Sequence, residues 1–219
     1  MNIEKLDNPA WHSLNETHQS FAIGNDEIKF YQPHVCPFGG INSKQPDLHS
    51  QLNSFFIIGD KPIEIPDLII DKELICLQMI CSFPIKMEFT ENIIHLKEPH
   101  KKQLIDLVNL VQPGYFREGT LLMGDYYGIY RNRQLVAVAG ERMKMDGFTE
   151  ISAVVTHADF TGKGFAKQLV AQTANKNFEH NTVPYLHVAE TNTGAVRLYE
   201  KLGFVIRRKI SFWKMTRLV

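Results

Sequence analysis

Two short stretches carry residue types whose spacing can do chemistry. The first is Val154-Val155-Thr156-His157-Ala158-Asp159-Phe160-Thr161-Gly162-Lys163-Gly164-Phe165-Ala166. An apolar strand runs into a glycine-bearing loop that opens directly into an amphipathic helix. The first turn of a helix has backbone N–H groups without internal partners and partial positive charge, so it can bind phosphate. Glycine at 162 and 164 lets the backbone approach an anion closely, and Lys163 can add charge. A dinucleotide fingerprint is excluded, because its third glycine position is Lys167 and no acidic residue lies about 20 residues on. A P-loop is excluded because Gly164, not Ser or Thr, follows Lys163. The bland alternative is a structural turn between strand and helix. The second stretch runs from Asn192 through Ala195, Leu198 and Tyr199 to Leu202-Gly203-Phe204. Asn192 suits a helix N-cap and Tyr199 lies about two turns in; alone they read as a cap and a core aromatic.

The elements that must position these groups are legible from residue 92 onward. Ile93 to Leu96 reads as a strand. Leu104, Leu107, Val108 and Val111 mark one face of a helix that starts at Glu98-Pro99 and stops at Pro113-Gly114. Tyr126 to Tyr130, Leu135 to Met143, Phe148 to Thr156 and Tyr185 to Ala189 are expected strands. Gly164 to Phe178 and Asn192 to Leu202 are expected helices, the latter ended by Gly203. Val205 to Ile210 and Phe212 to Thr216 are expected to close the chain as two strands. The first ~90 residues are less regular. Phe21 to Tyr31 reads as a hairpin turning at Gly24-Asn25-Asp26, Pro33 to Gly40 as a loop, 47–55 as a short helix, and Leu74 to Cys81 as a strand.

Composition narrows the function classes. Lys plus Arg is 24 and Asp plus Glu is 24 in 219 residues, so no net field favours nucleic acid. Arg207-Arg208-Lys209 reads as a solvated strand face, with phosphate contact as the alternative. The three cysteines, Cys36, Cys76 and Cys81, match no zinc or redox spacing and read as buried thiols. His12, His18 and His34 read as structural, and no metal is expected. The N-terminus lacks the pattern of a signal peptide, and no apolar stretch approaches the ~20 residues of a membrane helix. A soluble, cytoplasmic protein is expected.

The two chemical stretches, with the strand Leu186 to Ala189 between them, closely resemble the GNAT (GCN-five-related N-acetyltransferase) superfamily over residues 91–219, nearest its glycine N-acyltransferase-like branch. Asp7-Asn8-Pro9-Ala10-Trp11-His12-Ser13-Leu14 also resembles the lead segment of two-part bacterial members. The resemblance implies an α/β (α+β) fold: a mixed, splayed β-sheet with helices on both faces in 91–219. An N-terminal α+β subdomain, 1–90, would help shape the acceptor site. It implies an N-acyltransferase moving acetyl from acetyl-CoA to a primary amine on a small molecule or peptide. The diphosphate of coenzyme A would rest on Thr161, Gly162, Lys163, Gly164, Phe165 and Ala166. Its pantetheine arm would meet Val154, Val155, Thr156 and Asn192, and Tyr199 would protonate the leaving thiolate. Thr161 stands where the family has Arg or Gln, which predicts weaker cofactor binding and favours the rival reading, a non-catalytic acyl-CoA-binding or sensor module. The amine needs to lose a proton before it attacks. Glu150 is the expected base, with Glu141 second and His157 a further option. Acceptor specificity is expected to depend on Tyr115, Phe116, Tyr126 or Tyr127.

Overall fold

The computed structural model describes residues 2–43, 52–64 and 66–218. Its elements in chain order are α1 Pro9–Asn15, β1 Ala22–Gly24, β2 Ile28–Tyr31, β3 Phe38–Ile41, β4 Ser54–Gly59, β5 Leu68–Ile80 and β6 Ile93–Leu96. Then follow α2 Lys101–Val111, β7 Tyr126–Arg131, β8 Gln134–Met145, β9 Phe148–Thr156, α3 Phe165–Glu179, β10 Val183–Ala189, α4 Thr193–Lys201 and β11 Val205–Arg217. The strands form one mixed sheet in the order β1-β2-β3-β4-β11-β5-β10-β9-β8-β7-β6.

Helices cover both faces. On one side α2 packs Leu104, Leu107 and Val108 on Tyr126, Val138 and Val155. On the same side α1 packs Ala10 and Leu14 beside Tyr31, Met143 and Phe212. On the other side α3 and α4 bury Val170, Ala171, Tyr199 and Leu202 against Met79, Ile151, Leu186 and Val188. Alternating side chains along each strand feed these two layers, which is why the apolar runs read as strands.

Two expectations are corrected outright and a third in part. The closing segment is one strand, not two: β11 pairs with β5 from Val205↔Ile80 to Arg217↔Leu68, and register shifts at 206–208 and 214–215 absorb the irregularity. Gly39 and Gly40 lie in strand β3 rather than a loop, since a Cβ on Gly39 would meet the Phe30 ring at 2.4 Å and one on Gly40 the Trp11 backbone N at 2.5 Å. Much of the expected helix at 47–55 lies outside the described residues, and its last two residues belong to β4. Arg207 and Arg208 both reach the Asp7 carboxylate, at 2.6 and 2.7 Å, and Lys209 reaches Glu190. The three cations lie on a partly exposed face of β11, as expected, and are paired there with carboxylates.

One feature is non-local. Strand β5, from the N-terminal stretch, is inserted between β10 and β11. The stretches 1–90 and 91–219 therefore share a single sheet. Among the described residues, no helix is long and apolar enough to cross a membrane. All three cysteines are free and buried.

The buried face under α1 carries a polar cluster. His18, 3% exposed, bonds Ser13 Oγ through Nδ1 at 3.2 Å and the Met123 carbonyl through Nε2 at 3.0 Å. Ser13 Oγ also meets Tyr31 Oη at 2.6 Å. Burial lowers the His18 pKa from 6.5 to about 4, against a smaller opposing effect of the Met123 carbonyl. The unfolded chain therefore binds the extra proton first as pH falls. The neutral ring's contribution is complete above pH 6.5 and is lost toward pH 4, on the order of 3 kcal/mol over that window. Urea midpoints at pH 7 and pH 5 check this: the midpoint is expected to fall at pH 5, and His18→Gln to flatten the fall. An equal fall in the variant would assign it elsewhere.

Candidate active site

The site is created by a failure of pairing. Strands β9 and β10 run parallel and pair only from Val183↔Phe148 to Leu186↔Ile151. Beyond that point β9 continues to Thr156 and β10 to Ala189 without each other. Ala153 marks the parting: its φ is 50°, rare for a residue with a side chain, and the β8–β9 register shifts there. The backbone polar groups along that side of residues 152–156 need partners from another source.

A cavity of about 660 Å³ occupies the gap. At the α3–α4 side its wall is the loop 161–164 and the first residues of α3, 165–167. Gly162 and Gly164 have φ of 76° and 78°, and a Cβ on either would meet nothing within 4 Å. The glycines thus serve a left-handed turn facing open space rather than close packing. Gly164 caps α3 without any side-chain hydrogen bond. Among the described residues, no partner is found for the backbone N–H groups of 162–166 at the start of α3. Lys163 Nζ sits 4.7 Å from the centre of the Phe160 ring at the rim. Such a cradle fits a diphosphate.

Nine of the ten residues expected to hold a cofactor line this cavity: Val154, Thr156, Thr161, Gly162, Lys163, Gly164, Phe165, Ala166 and Asn192. Val155 does not; it is buried with Leu104 and Val138 on the α2 side. The Asn192 Oδ1 accepts from Ala195 N at 3.2 Å, so its oxygen caps α4. The Thr161 hydroxyl donates to the Ala158 carbonyl at 3.0 Å. Tyr199 lines the cavity at 7% exposure, and burial pushes its phenol up to about 12. Its hydroxyl has no hydrogen-bond partner among the described residues.

Glu150 is placed differently from expectation. It shares a strand face with Ser152, as alternation predicts, but Ser152 lines the cavity and Glu150 does not. Glu150 sits where β9 and β10 are still paired, opposite Tyr185, and is 0% exposed. Arg142 grips it with two bonds, Nε to Oε2 at 2.8 Å and Nη2 to Oε1 at 2.6 Å, and His187 Nδ1 adds a third at 2.7 Å. Burial pushes the carboxyl up, but Arg142 and His187 outweigh it and hold the pKa at about 2. A carboxylate so stabilised is a poor proton acceptor. The role of catalytic base is therefore withdrawn from Glu150. Glu141 is also buried, held by Lys144 and by Asp125 N, and His157 turns to Asp159; neither lines the cavity.

Residues the sequence did not single out complete the far end. Arg142, His187, Phe38 and Phe212 line the cavity on the α1–α2 side, beside Cys76 and beside Tyr115, Phe116 and Tyr126, three of the four residues expected to set acceptor specificity. Tyr127 points to the other layer and stacks on His95. A charged arginine inside the apolar run of β8 was the one available signal for Arg142.

Residues 126–213 match the family model of FR47-like proteins. A GNAT-family protein from Novosphingobium aromaticivorans superposes with a TM-score of 0.90 at 26% identity, over 98% of this chain and 99% of that one. An acetyltransferase of the GNAT family from Colwellia psychrerythraea gives 0.56 at 11% identity, over 65% and 57% of the two chains. A Drosophila protein gives 0.66 at 12% identity, over 87% and 73%. A search of the curated proteins finds no match. The splayed mixed sheet, the uncapped glycine turn at the start of α3 and these matches together place the chain in the GNAT superfamily.

Proposed function

We propose that the protein is an acetyl-CoA-dependent N-acetyltransferase acting on a primary amine by direct attack. The observation that carries this reading is the cavity in the β9–β10 gap, bounded by unpaired N–H groups at one end and the Tyr199 hydroxyl along its wall. Bound acetyl-CoA supplies the activated acetyl group as a thioester. The N–H groups of 162–166 bind the diphosphate, and Lys163 adds charge. The free side of β9 at 152–156 takes the amides of the pantetheine arm, fixing the thioester in line with the amine. Tyr199 stays protonated throughout the physiological range and donates a hydrogen bond to the leaving sulfur. With the phenol at about 12 and an ordinary thiol near ~8.5, the donor holds the sulfur without giving up its proton. Among the described residues, no carboxylate lines the cavity, so the ammonium gives one proton to water before attack, and the second nitrogen proton passes through water to the departing thiolate as the C–S bond breaks. The N-terminal stretch helps form the acceptor end through Phe38, Leu74 and Cys76.

Free-thiol release from acetyl-CoA with an amine panel tests the reaction. Turnover is expected, with a rate that rises as pH approaches the pKa of the amine. Tight acetyl-CoA binding with no turnover on any amine would favour the non-catalytic module instead. A second expectation concerns the cradle. Gly164→Val places a β-branched residue at a φ of 78° and projects it into the space the diphosphate needs. Acetyl-CoA affinity by calorimetry is expected to fall at least ~10-fold. Unchanged affinity would move the diphosphate off this turn.

A further inference from the structure

The acceptor end of the cavity has a composition that selects among amines. The formally charged residues on the cavity wall are Arg142, Lys163 and Lys167. Lys163 and Lys167 stand at the start of α3, so Arg142 is the single charge at the other end. It is 15% exposed, and its guanidinium lies 4.6 Å over the Phe38 ring. Glu150 occupies Nε and Nη2 from behind, which fixes the plane of the group and leaves Nη1 without a protein acceptor among the described residues. The remaining wall there is aromatic: Phe38, Tyr115, Phe116, Tyr126 and Phe212.

Two consequences follow from elementary chemistry. A simple cationic amine finds no carboxylate on this wall, because the Glu150 carboxylate is taken up by Arg142 and His187 behind it. Arg142 Nη1 opens on the cavity with no protein acceptor among the described residues, and a guanidinium edge matches a carboxylate better than any other common group. The apolar wall in turn rewards a body large enough to cover it.

We infer that the acceptor is a zwitterion, an amine bearing a carboxylate that Arg142 Nη1 receives, with an apolar or aromatic body packed on Phe38 and its neighbours. This inference rests on the transferase reading of the same cavity. It assigns Arg142 as the residue that determines acceptor specificity. Glu150 and His187 are positioning residues that hold the guanidinium in place.

The test uses the wild-type protein, since Arg142 variants remove the guanidinium that neutralises the buried Glu150 carboxylate. Thiol release from acetyl-CoA is measured with phenylalanine, phenylalaninamide, 2-phenylethylamine and glycine. Phenylalanine is expected to exceed both analogues lacking the carboxylate by about 10- to 100-fold in kcat/KM, the range of a charge-assisted hydrogen bond. It is expected to exceed glycine as well. Equal or better turnover of the amide or of 2-phenylethylamine overturns the carboxylate assignment and leaves the transferase reading intact. Equal turnover of glycine overturns the apolar body. Binding is read separately, by melting the coenzyme A-loaded protein with N-acetylphenylalanine or with N-acetyl-2-phenylethylamine. Stabilisation by the first alone supports the inference even if no amine turns over, a result that would count against the transferase reading only. Stabilisation by both, or by neither, counts against the inference.

Discussion

Glu150→Ala is expected to cost about 3–5 kcal/mol of stability, the usual penalty for stripping one partner from a buried ion pair. The magnitude follows from what is left behind. Arg142 would keep its charge beside Phe38 with no counter-ion, and His187 would lose the acceptor at its Nδ1. Nearby β5 offers His187 only Gln78, whose Nε2 lies 3.0 Å from Nε2 and 2.7 Å from the Leu6 carbonyl. In a chain of this size the melting temperature should drop by roughly 10 °C. Glu150→Gln keeps the shape and one acceptor oxygen, so its loss should be smaller. The acid limb supplies a second reading. The Glu150 contribution is complete above pH 4.5 and disappears as pH falls toward about 2. The alanine variant should therefore differ most from wild type at neutral pH and converge with it in acid. A full-strength melting curve for the alanine variant, with activity lost, would mean that Glu150 serves catalysis and not the framework.

Tyr199→Phe should lower kcat by about 100-fold, at the low end of what one hydrogen-bond donor to developing transition-state charge contributes, with little change in the KM for acetyl-CoA. The substitution removes one oxygen from a side chain that also packs against Phe204 at a centroid distance of 6.0 Å, so folding should be retained. The hydroxyl meets no protein partner, so its deletion orphans nothing inside the protein. Since burial puts the phenol at about 12, the wild-type rate should show no descending alkaline limb up to pH ~10. Turnover unchanged in Tyr199→Phe would remove this side chain from the chemistry.

Local grammar carried most of what could be read in advance. The glycine turn into α3 and the Asn192 cap of α4 are short-range features, set by φ values and cap chemistry that a few residues specify. Strand and helix periodicity likewise marked β6 through β10 within a residue or two. What escaped was non-local. Nothing in residues 68–80 announces that the strand inserts between β10 and β11, because ladder partners leave no mark on a single strand. The depth of Glu150 escaped for a similar reason. Alternation gives a face, but the point where β9 and β10 part depends on the left-handed Ala153 and the register shift beside it. Arg142 and His187 come to Glu150 from the two flanking strands, so their convergence required the sheet itself. The glycine N-acyltransferase-like branch rests on the sequence resemblance alone.

Amide chemical-shift mapping during an acetyl-CoA titration tests the location of the site most directly. The backbone N–H resonances of 161–167 and 152–156 should move first and furthest, with those around Tyr199 following. A saturating titration that leaves these amides in place and moves others, such as those of the second hollow at Asp7, Asn8, Gly59 and Asp60, would contradict the assignment.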